Sequence, residues 1–202
     1  MDETRLRAAM ARIDAANAQD PEREQLDGRE VPKELLYAER MTACLETFAP
    51  GASEALRLAV RAQHLCRWRI PRDAYPRDRA GYLRWRAELG RLHAQLAGEI
   101  LREVGYVESF VARVQSLVQK KHLRSDPEAQ TLEDVACLVF LRHAFAPFAA
   151  QHDDEKVVAI VRKTWGKMSP RAREEALRLP LGQRGLRLVQ AALADAPSNE
   201  ES

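Results

Sequence analysis

Three polar residues interrupt the apolar stripes of three predicted helices. His64, His93 and Asp134 each lie three or four residues from apolar neighbours, at positions where an amphipathic helix buries its side chains. Burying such a group without a partner costs about 2–7 kcal/mol, and more for a charge. Two imidazoles and one carboxylate suit a divalent metal ion that keeps open positions for water and substrate. We therefore predict that the three residues meet one another or bind a metal.

Each of these residues also has a structural interpretation. A lone His64 or His93 on an apolar face is typical of a core histidine bonded to a carbonyl group. Asp134 follows Thr131 by three residues, as in a helix-starting capping box. The two histidines are 29 residues apart on consecutive predicted helices, so an antiparallel pair would let them face each other. Asp134 would then close the group from a third helix.

A second group combines arginines with aromatic rings around the loop between Pro71 and Pro76. Its members are Arg67, Arg69, Arg72, Arg77, Arg79, Arg84, Arg86, Trp68, Tyr75, Tyr82 and Trp85. Guanidinium groups bind phosphate oxygens in bidentate fashion, and aromatic rings offer faces on which a base can stack. The segment 67–86 therefore predicts a nucleotide, RNA or protein ligand. The alternative is that the arginines pair with glutamates and the rings anchor the loop.

The chain predicts an all-α, single-domain helical bundle over residues 1–194, followed by a frayed polar tail over 195–202. Glycine is scarce and runs of β-branched residues are few. Ser53, Thr131 and Ser169 stand at predicted helix starts as capping residues. The predicted helices cover about 3–18, 32–48, 53–69, 79–104, 107–121, 131–150, 154–166, 170–179 and 183–194.

Composition limits the classes of function. The 32 Lys and Arg against 30 Asp and Glu leave a net charge of +2, which does not favour a protein that coats nucleic acid. No signal peptide and no run of 18 apolar residues stands out, so we expect a cytoplasmic protein without membrane contact. The three cysteines have no metal-type spacing and are expected to be reduced.

The residues around the three polar positions resemble the layout of the HD-domain metal-dependent phosphohydrolases. The matching stretches are His64-Leu65-Cys66-Arg67-Trp68, the helix carrying His93, Val118-Gln119-Lys120-Lys121-His122, and Thr131-Leu132-Glu133-Asp134-Val135-Ala136-Cys137-Leu138. This resemblance implies an HD-like core over about 50–150 and a divalent ion, of manganese, zinc, nickel, iron or magnesium, at the three polar residues. The chain departs from the pattern at Ala94, where those enzymes carry the aspartate of the His-Asp motif. Glu39 or His122 would have to supply a fourth ligand.

The expected chemistry is hydrolysis of a phosphomonoester or nucleotide. A bound ion would lower the pKa of a water molecule, while basic side chains neutralise the phosphate charge. His122 is the predicted catalytic acid or base, and the alternative is that it interacts with the last carbonyls of a helix. The predicted substrate-binding residues are Arg67, Arg72, Arg84, Lys120 and Lys121.

A larger part of the chain resembles the uncharacterised family DUF4202. The stretches that carry this resemblance, over about residues 10–180, are Ile13-Asp14-Ala15-Ala16-Asn17, Pro32-Lys33-Glu34-Leu35-Leu36-Tyr37, Gly81-Tyr82-Leu83-Arg84-Trp85-Arg86 and Leu132-Glu133-Asp134. The family implies no activity. The two hypotheses are therefore a metal-dependent phosphohydrolase or its degenerate descendant, and a non-catalytic helical module that binds its ligand through 67–86. A catalytic cluster must open onto a cleft, whereas a packing cluster should be sealed.

Overall fold

The computed structural model describes residues 3–194, so the predicted tail over 195–202 lies outside the described residues. The fold is all-α apart from one short hairpin, which confirms the predicted class. Its packing divides the chain into two compact units, with the boundary between Leu132 and Glu133. Only an unfolding experiment shows whether the two units unfold together as one domain. The single-domain interpretation therefore stays a prediction. Among residues 3–194, no helix has the length and apolar character to cross a membrane.

The first unit contains five complete helices and the hairpin, within the described part. The helices are α1 (Glu3–Asn17), α2 (Lys33–Phe48), α3 (Glu54–Arg61), α4 (Arg79–Glu103) and α5 (Glu108–Val118), and the strands are β1 (Arg23–Leu26) and β2 (Arg29–Pro32). Helix α4 packs against α5, α5 against α3, and α3 against α2. Met41, Leu58 and Leu117 are fully buried in this core.

The side chain of Arg61 links three of these helices through an ion pair and a hydrogen bond. The guanidinium of Arg61, at the end of α3, donates to both carboxylate oxygens of Asp14 on α1, at 2.6 and 2.7 Å. It also donates to the hydroxyl of Thr42 on α2 at 3.2 Å. Bidentate pairs of this kind fix orientation as well as distance. The end of α3 is thus held in place, and the site described below begins directly after it.

The hairpin was not predicted, although its turn has a recognisable sequence. Asp27 and Gly28 connect the strands, and both have positive φ, 48° and 77°. Asp-Gly is a favoured pair for the two-residue turn whose twist matches that of antiparallel strands. The strands are short and largely polar, so the alternating apolar pattern that indicates a strand is absent here.

The second unit begins within helix α6 (Pro127–Val139). It continues through a π-helical turn (Phe140–Ala144), α7 (Phe145–Ala150), α8 (Asp154–Trp165), α9 (Pro170–Leu177) and α10 (Gly182–Ala194). Helix α8 packs against α10, and both contact α7. Fully or almost fully buried side chains of this unit include Phe145, Val157 and Val161.

Two of the three predicted capping residues are confirmed. Ser53 accepts from the backbone N–H of Leu56 at 3.1 Å, and Ser169 caps α9 in the same way. The prediction for Thr131 is wrong, because α6 begins four residues earlier, at Pro127. The Thr131 hydroxyl donates to the Pro127 carbonyl at 2.8 Å. Proline is favoured in a first helical turn, because the backbone N–H that it lacks would have no partner within the helix there.

Candidate functional site

A chain of hydrogen bonds links Glu34, His64 and Arg67 in the first unit. Arg67 Nη1 lies 3.2 Å from His64 Nε2, and His64 Nδ1 lies 3.1 Å from Glu34 Oε2. A guanidinium can only donate, so Nε2 accepts and the proton of the neutral ring is on Nδ1. His64 therefore donates to Glu34, and Arg67 also forms an ion pair with Glu34 at 3.7 Å. The three side chains fix one another's orientation.

His64 stays neutral because of its surroundings. Burial, followed by the charges of Arg67, Arg86, Lys120 and Lys33, lowers its pKa well below the usual range. The four charges that act most strongly on the ring are therefore all positive. The ring of Tyr37 stacks on the imidazole, with centroids 3.9 Å apart.

His93 lies beside His64, although His64 lies in the turn after α3 and not on a helix as predicted. The ring centroids are 6.0 Å apart. Its Nδ1–H donates to the Leu65 carbonyl at 2.7 Å, which is the arrangement of a core histidine. Burial, together with the field of His64, lowers the pKa of His93 to about 3. Both imidazoles are therefore neutral near pH 7.

Glu34 is the buried carboxylate of this site. Its side chain is 8 % exposed, and burial raises its pKa to about 7 in spite of the opposing charges of Arg67 and Lys33. Its backbone N–H is bound at 2.9 Å by Asp20, whose other carboxylate oxygen accepts from the N–H of Glu22. Asp20 thereby fixes the start of α2, from which Glu34 points to His64.

The end of α3 sets the position of Arg67. The predicted helix over 53–69 ends at Arg61, and in the turn that follows Cys66 adopts a left-handed conformation with φ 55°. Such a conformation costs about 1–2 kcal/mol in a residue other than glycine. The side chain of Asn17 accepts from the Cys66 N–H at 3.0 Å and so supports it. A short 3-10 turn, Arg67–Arg69, then carries Arg67 and Trp68.

A cavity of about 640 Å³ opens in the first unit beside this turn. Four of its lining residues are basic, four are acidic and four are apolar or aromatic. They are Lys33, Arg67, Arg72, Arg77, Asp20, Glu22, Glu34, Asp73, Trp68, Ile70, Pro71 and Trp85. The volume lies in the range of small-molecule sites. Arg67, which the cavity reaches, also stands over the Trp85 ring at 4.7 Å.

One wall of the cavity is held by Arg72 and Trp85. Both terminal nitrogens of Arg72 donate to carbonyls of its own loop, Tyr75 and Pro76, at 2.9 Å each. The indole N–H of Trp85 donates to the Ile70 carbonyl, also at 2.9 Å. The alternative interpretation of the segment 67–86, that its aromatics anchor a loop, therefore applies to Trp85. Arg72 supports the wall, and its contact with a substrate stays a prediction.

A family model described as a domain of unknown function, DUF4202, matches residues 7–189. The chain belongs to this family. The DUF4202 resemblance seen in the sequence is thereby confirmed, and the matched region includes every predicted site residue. No curated protein and no solved structure gives a significant match to the chain. The HD-like layout therefore stays a prediction.

The other predicted basic residues of the DUF4202 chain have different surroundings. Lys120 contributes to the positive field at His64, and its own backbone is left-handed, with φ 53°. Lys121 and Arg84 are exposed, and neither lines the cavity. His122 is exposed as well, in the turn after α5, where its carbonyl accepts from Ser125 and Asp126. The catalytic role of His122 stays a prediction.

Asp134 belongs to the second unit of the DUF4202 chain, where it has a structural partner. Its carboxylate accepts from the Ser169 backbone N–H at 2.8 Å and from the Ser169 hydroxyl at 2.6 Å. Ser169 in turn caps α9. Asp134 is 2 % exposed, so these bonds supply partners for a buried charge. This arrangement explains the polar residue on the stripe of α6 without a metal.

The residues around His64 do not fit a resident divalent ion in their present arrangement. Arg67 occupies the space in front of Nε2, the nitrogen that would bind a metal because Nδ1 carries the proton. Within residues 3–194, no group of three or more His, Cys, Asp and Glu side chains is arranged to hold an ion. The metal site at His64, His93 and Asp134, with Glu39 or His122 as a further ligand, therefore stays a prediction.

Glu34 is the site residue that the sequence prediction missed. It lies on the buried stripe of α2, followed at helical spacing by Ala38, Met41 and Leu45. A carboxylate on an apolar stripe is the same signal that selected His64. Lys33 and Tyr37, on the same helix, come to the site with it.

Proposed function

We propose that the first unit binds a small phosphorylated molecule in the cavity beside Arg67. The observation that supports this most strongly is the state of the Arg67 side chain. It is half-buried, stands over Trp85, and is oriented by His64 and Glu34. Within the described residues, its Nη2 makes no hydrogen bond. A guanidinium that is held in place and has an N–H group without a hydrogen bond is suited to bind a phosphate oxygen.

The charges around the cavity support an anionic ligand. Lys33 and Arg77 line it together with Arg67, although Lys33 is paired with Glu22 at 2.5 Å. Arg77 is exposed and has no ion pair in the part of the chain that the structure describes. Of the acidic lining residues, Asp20 accepts from two backbone N–H groups and Glu22 is paired with Lys33. Burial raises the pKa of Glu34 to about 7, which reduces its negative charge near pH 7. Arg67 and Arg77 are therefore the cationic groups of the lining that are best placed to meet an anion.

Binding of inorganic phosphate and ribose 5-phosphate, measured by titration calorimetry, tests the proposal. We expect both compounds to bind the wild type, and Arg67→Ala to weaken them at least tenfold. Arg67→Lys keeps the charge but loses the bidentate guanidinium, so its affinity should lie between those of the wild type and Arg67→Ala. Arg91→Ala is the matched control, because Arg91 is exposed, does not line the cavity and lies outside the segment 67–86. Absence of binding to the folded wild type, or equal binding to Arg67→Ala, would refute the proposal.

Hydrolysis of the bound ester is the second candidate. It is favoured by the hydrogen bond from His64 to Glu34, since a carboxylate on the second ring nitrogen commonly orients a reactive or metal-binding imidazole. The test is phosphate release from p-nitrophenyl phosphate with and without manganese, zinc, nickel or magnesium. Turnover that disappears in both His64→Ala and Asp134→Ala would support the predicted phosphohydrolase. The remaining hypothesis, RNA or protein binding through 67–86, predicts binding that requires the exposed arginines Arg69 and Arg84.

A further inference from the structure

Trp68 differs from the other tryptophan of the cavity. Trp85 is 8 % exposed, donates its N–H to Ile70, and lies under the guanidinium groups of Arg67 and Arg72. Trp68 is half-buried and lines the same cavity. Within residues 3–194, neither its ring nor its N–H has a hydrogen-bond, cation–π or stacking partner. The indole of Trp68 is therefore available to a ligand, whereas that of Trp85 is engaged.

We propose that Trp68 is the surface on which an aromatic base of the ligand stacks, so that the phosphorylated ligand is a nucleotide. This inference rests on the proposed function. Trp68 directly follows Arg67 in one 3-10 turn, so a phosphate contact and a stacking surface come from adjacent residues of a fixed element. Ile70 and Pro71 add apolar surface to the lining of the cavity. Every base has an aromatic face, and stacking on a tryptophan needs no particular edge pattern.

The size of the cavity agrees with this assignment. Its volume of about 640 Å³ exceeds what a phosphate group alone would fill and falls within the range of sites for drug-sized ligands. The lining offers both kinds of contact that a nucleotide needs. Lys33 and Arg67 are basic, whereas Trp68, Ile70 and Pro71 are aromatic or apolar.

The experiment compares adenosine 5′-monophosphate with ribose 5-phosphate, because the two share the sugar phosphate and differ by the base. Calorimetry is performed on the wild type, Trp68→Ala, Trp68→Phe and the control Trp165→Phe, which changes a half-buried tryptophan that does not line the cavity. Stacking on one aromatic side chain changes binding about 5- to 150-fold. We expect the wild type to prefer the nucleotide by at least fivefold, Trp68→Ala to abolish that preference, and Trp68→Phe and Trp165→Phe to retain most of it. Affinity for ribose 5-phosphate should not change.

The outcomes separate this inference from the proposed function. Equal affinities of the two compounds for the wild type, or a preference that survives in Trp68→Ala, would overturn the role of Trp68 and leave the phosphate site in place. A second result would also overturn the stacking role of Trp68. If Trp68→Ala and Trp68→Phe both lose affinity for both compounds while their melting temperatures stay unchanged, Trp68 holds Arg67 in position and does not stack on a base. If neither compound binds the wild type, both proposals fail. Quenching of tryptophan fluorescence by the nucleotide, absent in Trp68→Phe, is an independent positive result.

Discussion

Glu34 should make the wild type lose stability relative to a Glu34→Gln variant as the pH rises. Burial raises the pKa of Glu34 from 4.5 to about 7 in the folded protein. The folded state therefore binds this proton more tightly than the unfolded state, so its contribution is fully present below pH 4.5 and is lost as the pH rises through about 7. The amide introduced by Glu34→Gln would keep an acceptor for His64 but has no proton to lose.

The expected magnitude follows from the two pKa values. One pKa unit corresponds to about 1.4 kcal/mol, so ionising Glu34 in the folded state costs about 3 kcal/mol more than in the unfolded chain. Between pH 5 and pH 8.5, about 2.5 kcal/mol of this cost should appear in the free energy of unfolding. The free energy of unfolding of Glu34→Gln, relative to that of the wild type, should therefore increase by this amount between pH 5 and pH 8.5. His64 and His93 contribute equally to both proteins and cancel in the difference.

Urea unfolding at pH 5, 6, 7 and 8.5, followed by far-ultraviolet circular dichroism, measures this difference. Glu39→Gln is the matched control, because Glu39 lies on the same helix but is exposed. Of the two variants, Glu34→Gln should show the larger change in stability relative to the wild type over this pH range. A Glu34→Gln difference that is independent of pH would refute the reasoning. If the wild type instead becomes more stable relative to the variant as the pH rises, the pKa of Glu34 is lowered on folding. The charge of Arg67 would then outweigh the effect of burial.

Two further predictions concern the cavity wall and the metal. Gly81→Ala should destabilise the protein by about 1–3 kcal/mol in thermal or urea unfolding, because the added Cβ would stand 2.2 Å from the Pro76 carbonyl oxygen. Gly90→Ala, on the same helix with open space around it, should instead stabilise it by about 0.5–1 kcal/mol, and equal effects would contradict this account. Arg67→Ala should bind zinc or nickel more tightly than the wild type, since it frees Nε2 of His64 and removes a cation. Tighter binding by the wild type in calorimetry would support the predicted metal centre instead.

Apolar periodicity predicted most helices. His93 lies on the buried side of α4, as its stripe predicts. His64 is half-buried beside it, but it lies in the turn after α3 and not on the helical stripe that the sequence suggests. Glu34 was missed although it obeys the same rule. Glu34 is the acidic residue of the first turn of α2, a position where a carboxylate is usually exposed and interacts with the helix dipole.

Other features could not be predicted because they depend on distant residues. The left-handed turn at Cys66 is supported by Asn17, which is 49 positions away. The pairing of Asp134 with Ser169 is separated by 35 positions. Local propensity carries no information on such contacts. The π-helical turn after α6 likewise has no accepted sequence signal, and nothing in its residues marked it.

The bracing of the cavity wall has a kinetic consequence. Because Arg72 bonds to Tyr75 and Pro76, and Trp85 to Ile70, the wall keeps its shape through contacts within the chain. A ligand that enters such a wall does not have to fold it, so little conformational entropy is lost on association. Association should then be a single fast phase that rises linearly with ligand concentration. Differences in affinity among ligands and variants should appear chiefly in the dissociation rate.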